Sequence, residues 1–181
     1  MESAANKKSR KGLRSGVLTE FTVMTKVKPG HEKAVREVAT GRPEDMGKRD
    51  EALRALGTLH ESRFVLFDND TRLEFASSFD GTWDTYINDF AATPIGNIFD
   101  AIYSHCEGYP GLSNLDAVKD WFMENTVEAI NYTCVYPEAT VKDIWKALAV
   151  QEAFQEVLDN PEAEQALQHP ALKSLLEQAA A

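Results

Sequence analysis

The chain has 181 residues, 43% of them apolar, and carries 19 basic against 29 acidic side chains for a formal net charge of −10. That length and apolar content predict one ordinary globular domain with a sizeable core and exclude a second full domain. The acidic balance excludes nucleic acid and anionic membrane as partners, because both require a concentrated positive surface.

The charge is uneven. Residues 1 to 14, MESAANKKSRKGLR, hold five basic side chains and one acid, so the body behind them is more acidic than the whole. Residues 1–15 therefore read as a disordered basic arm. The following LRSGVLTEFTV is interrupted by Arg, Ser, Gly and Glu and makes neither a signal peptide nor an anchor. No stretch approaches the roughly 20 apolar residues of a membrane span. Cys106 and Cys134 are too few for a zinc framework, lie on apolar faces and read as reduced core thiols, which suggests a cytoplasmic protein.

From Val17 to Val27 the chain alternates, with Val17, Thr19, Phe21, Val23, Thr25 and Val27 on one face, the pattern of a half-buried strand. Lys28-Pro29-Gly30 ends it, and HEKAVREVA follows with Ala34, Val35 and Val38 at helical spacing. GRPEDMG at 41–47 interrupts that helix, and KRDEALRAL resumes it. Ser62–Asp68 and Arg72–Ser78 alternate on either side of Asp68-Asn69-Asp70, which predicts a β-hairpin over 62–78.

Past Asp80-Gly81, Trp83, Ile87 and Phe90 share one face of a short helix with Tyr86 beside them. Thr93-Pro94 opens another that carries Ile95 to Cys106, and Gly108-Tyr109-Pro110-Gly111 stops it. A further short helix spans Asp116–Glu124, and alternation over Ala129–Tyr136 predicts a fourth strand. From Thr140 the pattern is helical, and Asn160-Pro161 and His169-Pro170 divide the tail into two short pieces.

The order gives an α+β fold: a ferredoxin-like β-α-β-β-α-β antiparallel sheet over residues 16–138, with a helical insertion and a C-terminal helical extension, 139–181, of the same domain. All four strands carry apolar residues on both faces, so the face without helices needs a cover, and a second copy of the sheet would supply it.

TLHESRFVLFDNDTRLEFASSFDGTWDTYINDFA at 58–91 and YSHCEGYPG at 103–111, with Lys28-Pro29-Gly30 after the first strand, resemble the dimeric α+β barrel superfamily, nearest to little-studied relatives of dye-decolorizing peroxidases. The resemblance covers residues 17 to about 136. It implies a homodimer with closed sheets. Its members include haem peroxidases, cofactor-free monooxygenases, polyketide cyclases and non-catalytic modules, so fold alone does not select among them.

Candidate site residues follow from chemistry and from that resemblance. The resemblance aligns Asp80-Gly81 with the end of a G-x-x-D-G element whose Asp moves a peroxide proton above haem, with Ser77 where its first Gly would stand; the competing structural account is a tight turn that caps the next helix. His105, in a strongly apolar segment with Glu107 close by, is the candidate haem-iron ligand or base. His60 is a second candidate base. Arg63 alternates with apolar neighbours, reads as inward-pointing and requires an anionic companion. Trp83, Tyr86 and Tyr103 are candidates to line the cofactor or an aromatic cavity, or else are core. His31 and His169 read as surface residues. The expected activity is a small-molecule oxidoreductase of peroxidase or monooxygenase type on a hydrophobic or aromatic compound, with haem or no cofactor. The alternatives are a cofactor-free monooxygenase or polyketide-type cyclase, and a non-catalytic binding or assembly module. No P-loop, Ser-His-Asp spacing, dinucleotide motif or metal cluster is present.

Overall fold

The alternating N-terminal run forms a strand in the computed structural model, which describes residues 11–42, 44 and 46–179. Strand β1 (Arg14–Ser15) turns into β2 (Leu18–Lys26), and β3 (Leu59–Phe67) and β4 (Arg72–Asp80) form the predicted hairpin two to three residues longer at its open end. The sheet is antiparallel throughout, in the order β1-β2-β4-β3. Asp68, Asn69 and Asp70 all take positive φ in the hairpin turn. Asn and Asp tolerate that region because their short polar side chains bond to local backbone.

Pairing Phe21 with Ser77, Val23 with Phe75 and Phe64 with Phe75 puts Phe21, Val23, Phe64, Leu73, Phe75 and Phe79 on one face. Helices α1 (Glu32–Thr40), α2 (Met46–Leu56), α3 (Trp83–Ala92), α4 (Pro94–Tyr103) and α5 (Leu115–Asn125) bury their apolar stripes against it in one continuous core. At Gly96 in α4 a Cβ would meet the carbonyl oxygen of Phe90 at 2.8 Å, so the α3–α4 corner is closed backbone to side chain.

Two expectations are corrected. Residues 129–136 form no strand, and the fourth strand of the sheet is β1 instead. The edge of β2 explains this. Val127 N–H donates to Thr22 O and Val17 N–H to Pro137 O, both at 2.9 Å, so this segment starts and ends beside β2. Between those points the edge is already taken, because β1 pairs with Leu18 and Thr19 and Glu20 N–H donates to Leu13 O at 3.0 Å. The alternating residues 129–136 are thus displaced from the ladder they match. Secondly, residues 11–15 are not part of a disordered arm, since they contribute β1; residues 1–10 of the expected arm lie outside the described residues.

The second face of the sheet is mixed rather than apolar. It presents Glu20, Thr22, Glu61, Arg63, Glu74 and Ser78 among Leu18, Met24, Val65 and Ala76. The open face therefore lacks the continuous apolar layer that the sequence pattern predicts.

The chain divides into two compact units, Met1–Val141 and Lys142–Ala181. The second comprises most of α6 (Val141–Leu158) and, after it, the short helices α7 (Glu164–Leu167) and α8 (Lys173–Ala179), each entered through a 3-10 turn. Asn160 and His169 cap those turns by accepting the amides of Glu162 and Ala171. No described residue of this unit is buried. Among the described residues no helix is long and apolar enough to cross a membrane.

Candidate functional site

The strand-to-helix corner at the end of β4 supplies the best-defined polar constellation. Gly81 takes φ 89, and Thr82, not Asp80, caps α3 by accepting the Thr85 amide at 3.4 Å. Asp80 is thereby left for other partners. One carboxylate oxygen meets His60 Nε2 at 2.8 Å and the other accepts the Val141 amide, the first of α6, at 2.9 Å. His60 reaches Asp80 because the β3–β4 register shifts between Leu59 and Glu61. A bulge re-aims one side chain without disturbing the rest of the ladder. Both side chains are shielded, at 12% and 13% exposure.

A carboxylate only accepts, so the neutral imidazole of His60 paired with it carries its proton on Nε2 and its lone pair on Nδ1. A histidine held in this tautomer is the arrangement of a general base with its orienting acid.

The same sheet face carries a groove of about 260 Å³ lined by Glu20, Thr22, Arg63, Ser78, Asn131 and Tyr132 among others. Glu20 is buried and its carboxylate accepts the Leu13 amide at 3.0 Å and the Thr22 hydroxyl at 3.4 Å. Arg63 is exposed rather than inward-pointing, and its anionic companion is Glu74 at 3.3 Å. Its alternating apolar neighbours belong to the open face, which is why alternation suggested burial.

Trp83, Tyr86 and Tyr103 lie in the core on the other side of the sheet. Tyr86 stacks on Phe79 with centroids 3.8 Å apart, and Tyr103 packs edge-on against Trp121 and Phe122. Neither hydroxyl, nor Trp83 Nε1, has a hydrogen-bond partner among the described residues. Burial drives both phenols well above their ordinary range, opposed at Tyr86 by the nearby Ser77 hydroxyl. The cavity that Tyr86 lines with Phe21, Phe75, Phe90, Phe99 and Phe122 is about 30 Å³, room for about one water.

His105 follows α4, and its Nδ1 lies 2.9 Å from Nδ1 of His31. Burial lowers its pKa, and His31 and Lys28 add to the effect. Its ring partner is therefore His31, which is half-buried rather than a surface residue, and not Glu107. Cys106 is fully buried and Cys134 half-buried, both as free thiols. His169 is exposed, as expected.

The residues named for haem fall on both sides of the sheet: Arg63 and Asp80 face one side, and Tyr86 and Tyr103 the other. Among the described residues no group of three or more His, Cys, Asp or Glu side chains is arranged to hold a metal ion. The sequence flagged His60 and Asp80 separately, while the bulge that joins them has no local signature. Counting back from the hairpin turn places the two near one another and was the available signal. No protein-family model, curated protein or solved structure matches the chain.

Proposed function

We propose that the chain is a small-molecule enzyme of the cofactor-free monooxygenase or polyketide-type cyclase kind, with His60 as general base and Asp80 as its orienting group. The observation that carries this reading is the His60–Asp80 contact at 2.8 Å, set by a bulge and braced by the Val141 amide. His60 Nδ1 takes a proton from an activated ring CH₂ or phenol of an aromatic substrate bound on the open face, whose groove is lined by Glu61, next to His60, and by Ser78, two residues from Asp80. Arg63 at the groove offers positive charge to the resulting anion. With dioxygen, a ring CH₂ and O₂ become a carbonyl and water; without it, the carbanion attacks an internal carbonyl and closes a ring.

The test is oxygen uptake and product analysis with phenolic, polyketide-type compounds. His60→Ala should abolish turnover while His105→Ala leaves it intact. Turnover that survives His60→Ala, or a pH–rate profile with no histidine-like titration, rejects the reading. The haem-dependent peroxidase version rests on the sequence resemblance alone. A Soret band in freshly purified protein that weakens in His105→Ala would establish it instead.

A second reading concerns assembly. Val127, Ile130, Val135 and Tyr136 expose large apolar surface along the segment displaced from the sheet, and Ile130 is fully exposed. Pairing of two copies through this segment and the open face would cover them, in the manner of the ferredoxin-like dimeric barrel. Sedimentation at micromolar dilution distinguishes the cases: a single-chain species removes the dimer. Deleting 1–10 and 160–181, which spares β1 and the Leu13–Glu20 contacts, separates enzyme from assembly module, since only the module loses its function.

A further inference from the structure

We infer that His31 and His105 form a two-histidine site for a borderline divalent transition-metal ion such as Ni²⁺ or Cu²⁺, independent of the His60–Asp80 dyad. The inference starts from what His31 does not do. It occupies the N-cap position of α1, yet its side chain makes no capping bond and turns instead to His105, 74 positions along the chain. Both backbones are clamped. His31 N–H donates to Lys28 O at 3.0 Å and Val35 N–H to His31 O at 2.9 Å. Lys28 N–H donates to His105 O at 2.8 Å, and Val27 bridges the next residue, Cys106. The two imidazoles are thus brought together by rigid elements rather than by chance contact of mobile side chains.

The geometry fits a particular coordination. Two nitrogens bonded to one metal at about 2.1 Å stand about 3.0 Å apart at a right angle and about 3.4 Å apart in a tetrahedron. The observed Nδ1···Nδ1 distance is 2.9 Å, which matches the right-angled case preferred by tetragonal Ni²⁺ and Cu²⁺. The rings are tilted by 59° with centroids 5.2 Å apart, so the two Nδ1 atoms meet edge to edge and not through stacked faces. Without metal, one ring must carry Nδ1–H to bond the other. On binding, that proton moves to Nε2, so both rings remain neutral and no proton is lost. The remaining coordination positions go to water, since no third protein ligand is grouped with the pair among the described residues.

One charge opposes the ion. Lys28 is close enough to act on His105, and its ammonium is held by Ser104 O at 2.8 Å. Lys28→Gln keeps both ligands and removes that repulsion, so it should tighten binding, a result a purely structural histidine pair would not give.

Untagged full-length protein, stripped with EDTA, is titrated with Ni²⁺ alone near neutral pH by calorimetry. One ion per chain is expected, weakened more than roughly tenfold in His31→Ala and in His105→Ala and unaltered in His169→Ala. Side-chain ¹⁵N spectra should show Nδ1 of both residues responding to Ni²⁺ addition, with Nε2 responding as well in the one ring that takes up the transferred proton. If an alanine variant fails to fold, Lys28→Gln and the nitrogen spectra carry the test. No Ni²⁺ uptake, uptake that survives both histidine substitutions, Nε2 shifts alone, or unchanged affinity in Lys28→Gln overturns the site.

Discussion

Asp80 holds His60 through one carboxylate oxygen at 2.8 Å and the first amide of α6, Val141, through the other at 2.9 Å. The two contacts ask different things of residue 80. In Asp80→Asn the side-chain oxygen still accepts from Val141, but the new NH₂ faces His60 Nε2. The imidazole must then accept there and carry its proton on Nδ1, so the base is lost while the fold persists. Turnover should fall by about 10²–10⁴-fold, with stability changed by less than about 1 kcal/mol. Asp80→Ala removes both bonds and should also destabilise by about 1–3 kcal/mol. Urea titrations beside turnover assays separate the two effects, and equal activity of Asp80→Asn and wild type rejects the base assignment.

Tyr86→Phe and Tyr103→Phe should be neutral or stabilising, within about 1 kcal/mol. Each removes a buried hydroxyl that has no partner, so the polar atom is lost and the ring packing stays. A clear drop in the denaturant midpoint would show that a bound water satisfies the group.

Alkali should unfold the protein through these same groups. Three of the five tyrosines, 86, 103 and 109, have pKa values raised, chiefly by burial. A raised folded pKa gives stability that is complete below the unfolded value of 10.0 and is lost as pH climbs toward the folded one. The tyrosinate absorbance of these three should therefore appear together with loss of near-UV circular dichroism. Titration of all five before unfolding would contradict the packed core.

Gly96→Ala should destabilise despite the better helix propensity of Ala. The new Cβ would stand 2.8 Å from Phe90 O and 3.1 Å from Leu112 Cδ2. Overpacking against backbone costs about 1–3 kcal/mol, more than the up to about 1 kcal/mol gained from propensity. A melting temperature equal to or above wild type would mean that α3 and α4 separate easily.

These outcomes also mark what the sequence made legible. The period-2 runs at 17–27 and 62–78 and the stripes of α1, α3, α4 and α5 were readable because burial on one face imposes a period. Strand β1 was not readable, since two residues have no period. The alternation of 129–136 is real, but an edge ladder holds one partner at a time, and residues 13–15 occupy that of β2. Arg63 misled for a related reason: alternation tells which residues share a face, and not whether that face is covered. His31 with His105, 74 positions apart, has no local signal, whereas His60 with Asp80 is approached by counting out from the hairpin turn, the bulge excepted.

The His31–His105 contact makes one more prediction, for acid. Burial lowers the His105 pKa from 6.5, and His31 and Lys28 push the same way. The folded chain therefore takes up this proton less readily than the unfolded one. The neutral form's contribution to stability is present above the unfolded value and is lost as pH falls from 6.5 toward the lower folded value. Carboxylates titrate mostly below about pH 5, so the interval between isolates the histidines. Denaturant midpoints should fall on acidification through that interval in the wild type, and the slope should flatten in His105→Gln. His31→Gln should flatten it less, because burial is the largest cause and remains. Slopes unchanged in both variants would mean that His105 is as free to protonate in the fold as in the unfolded chain.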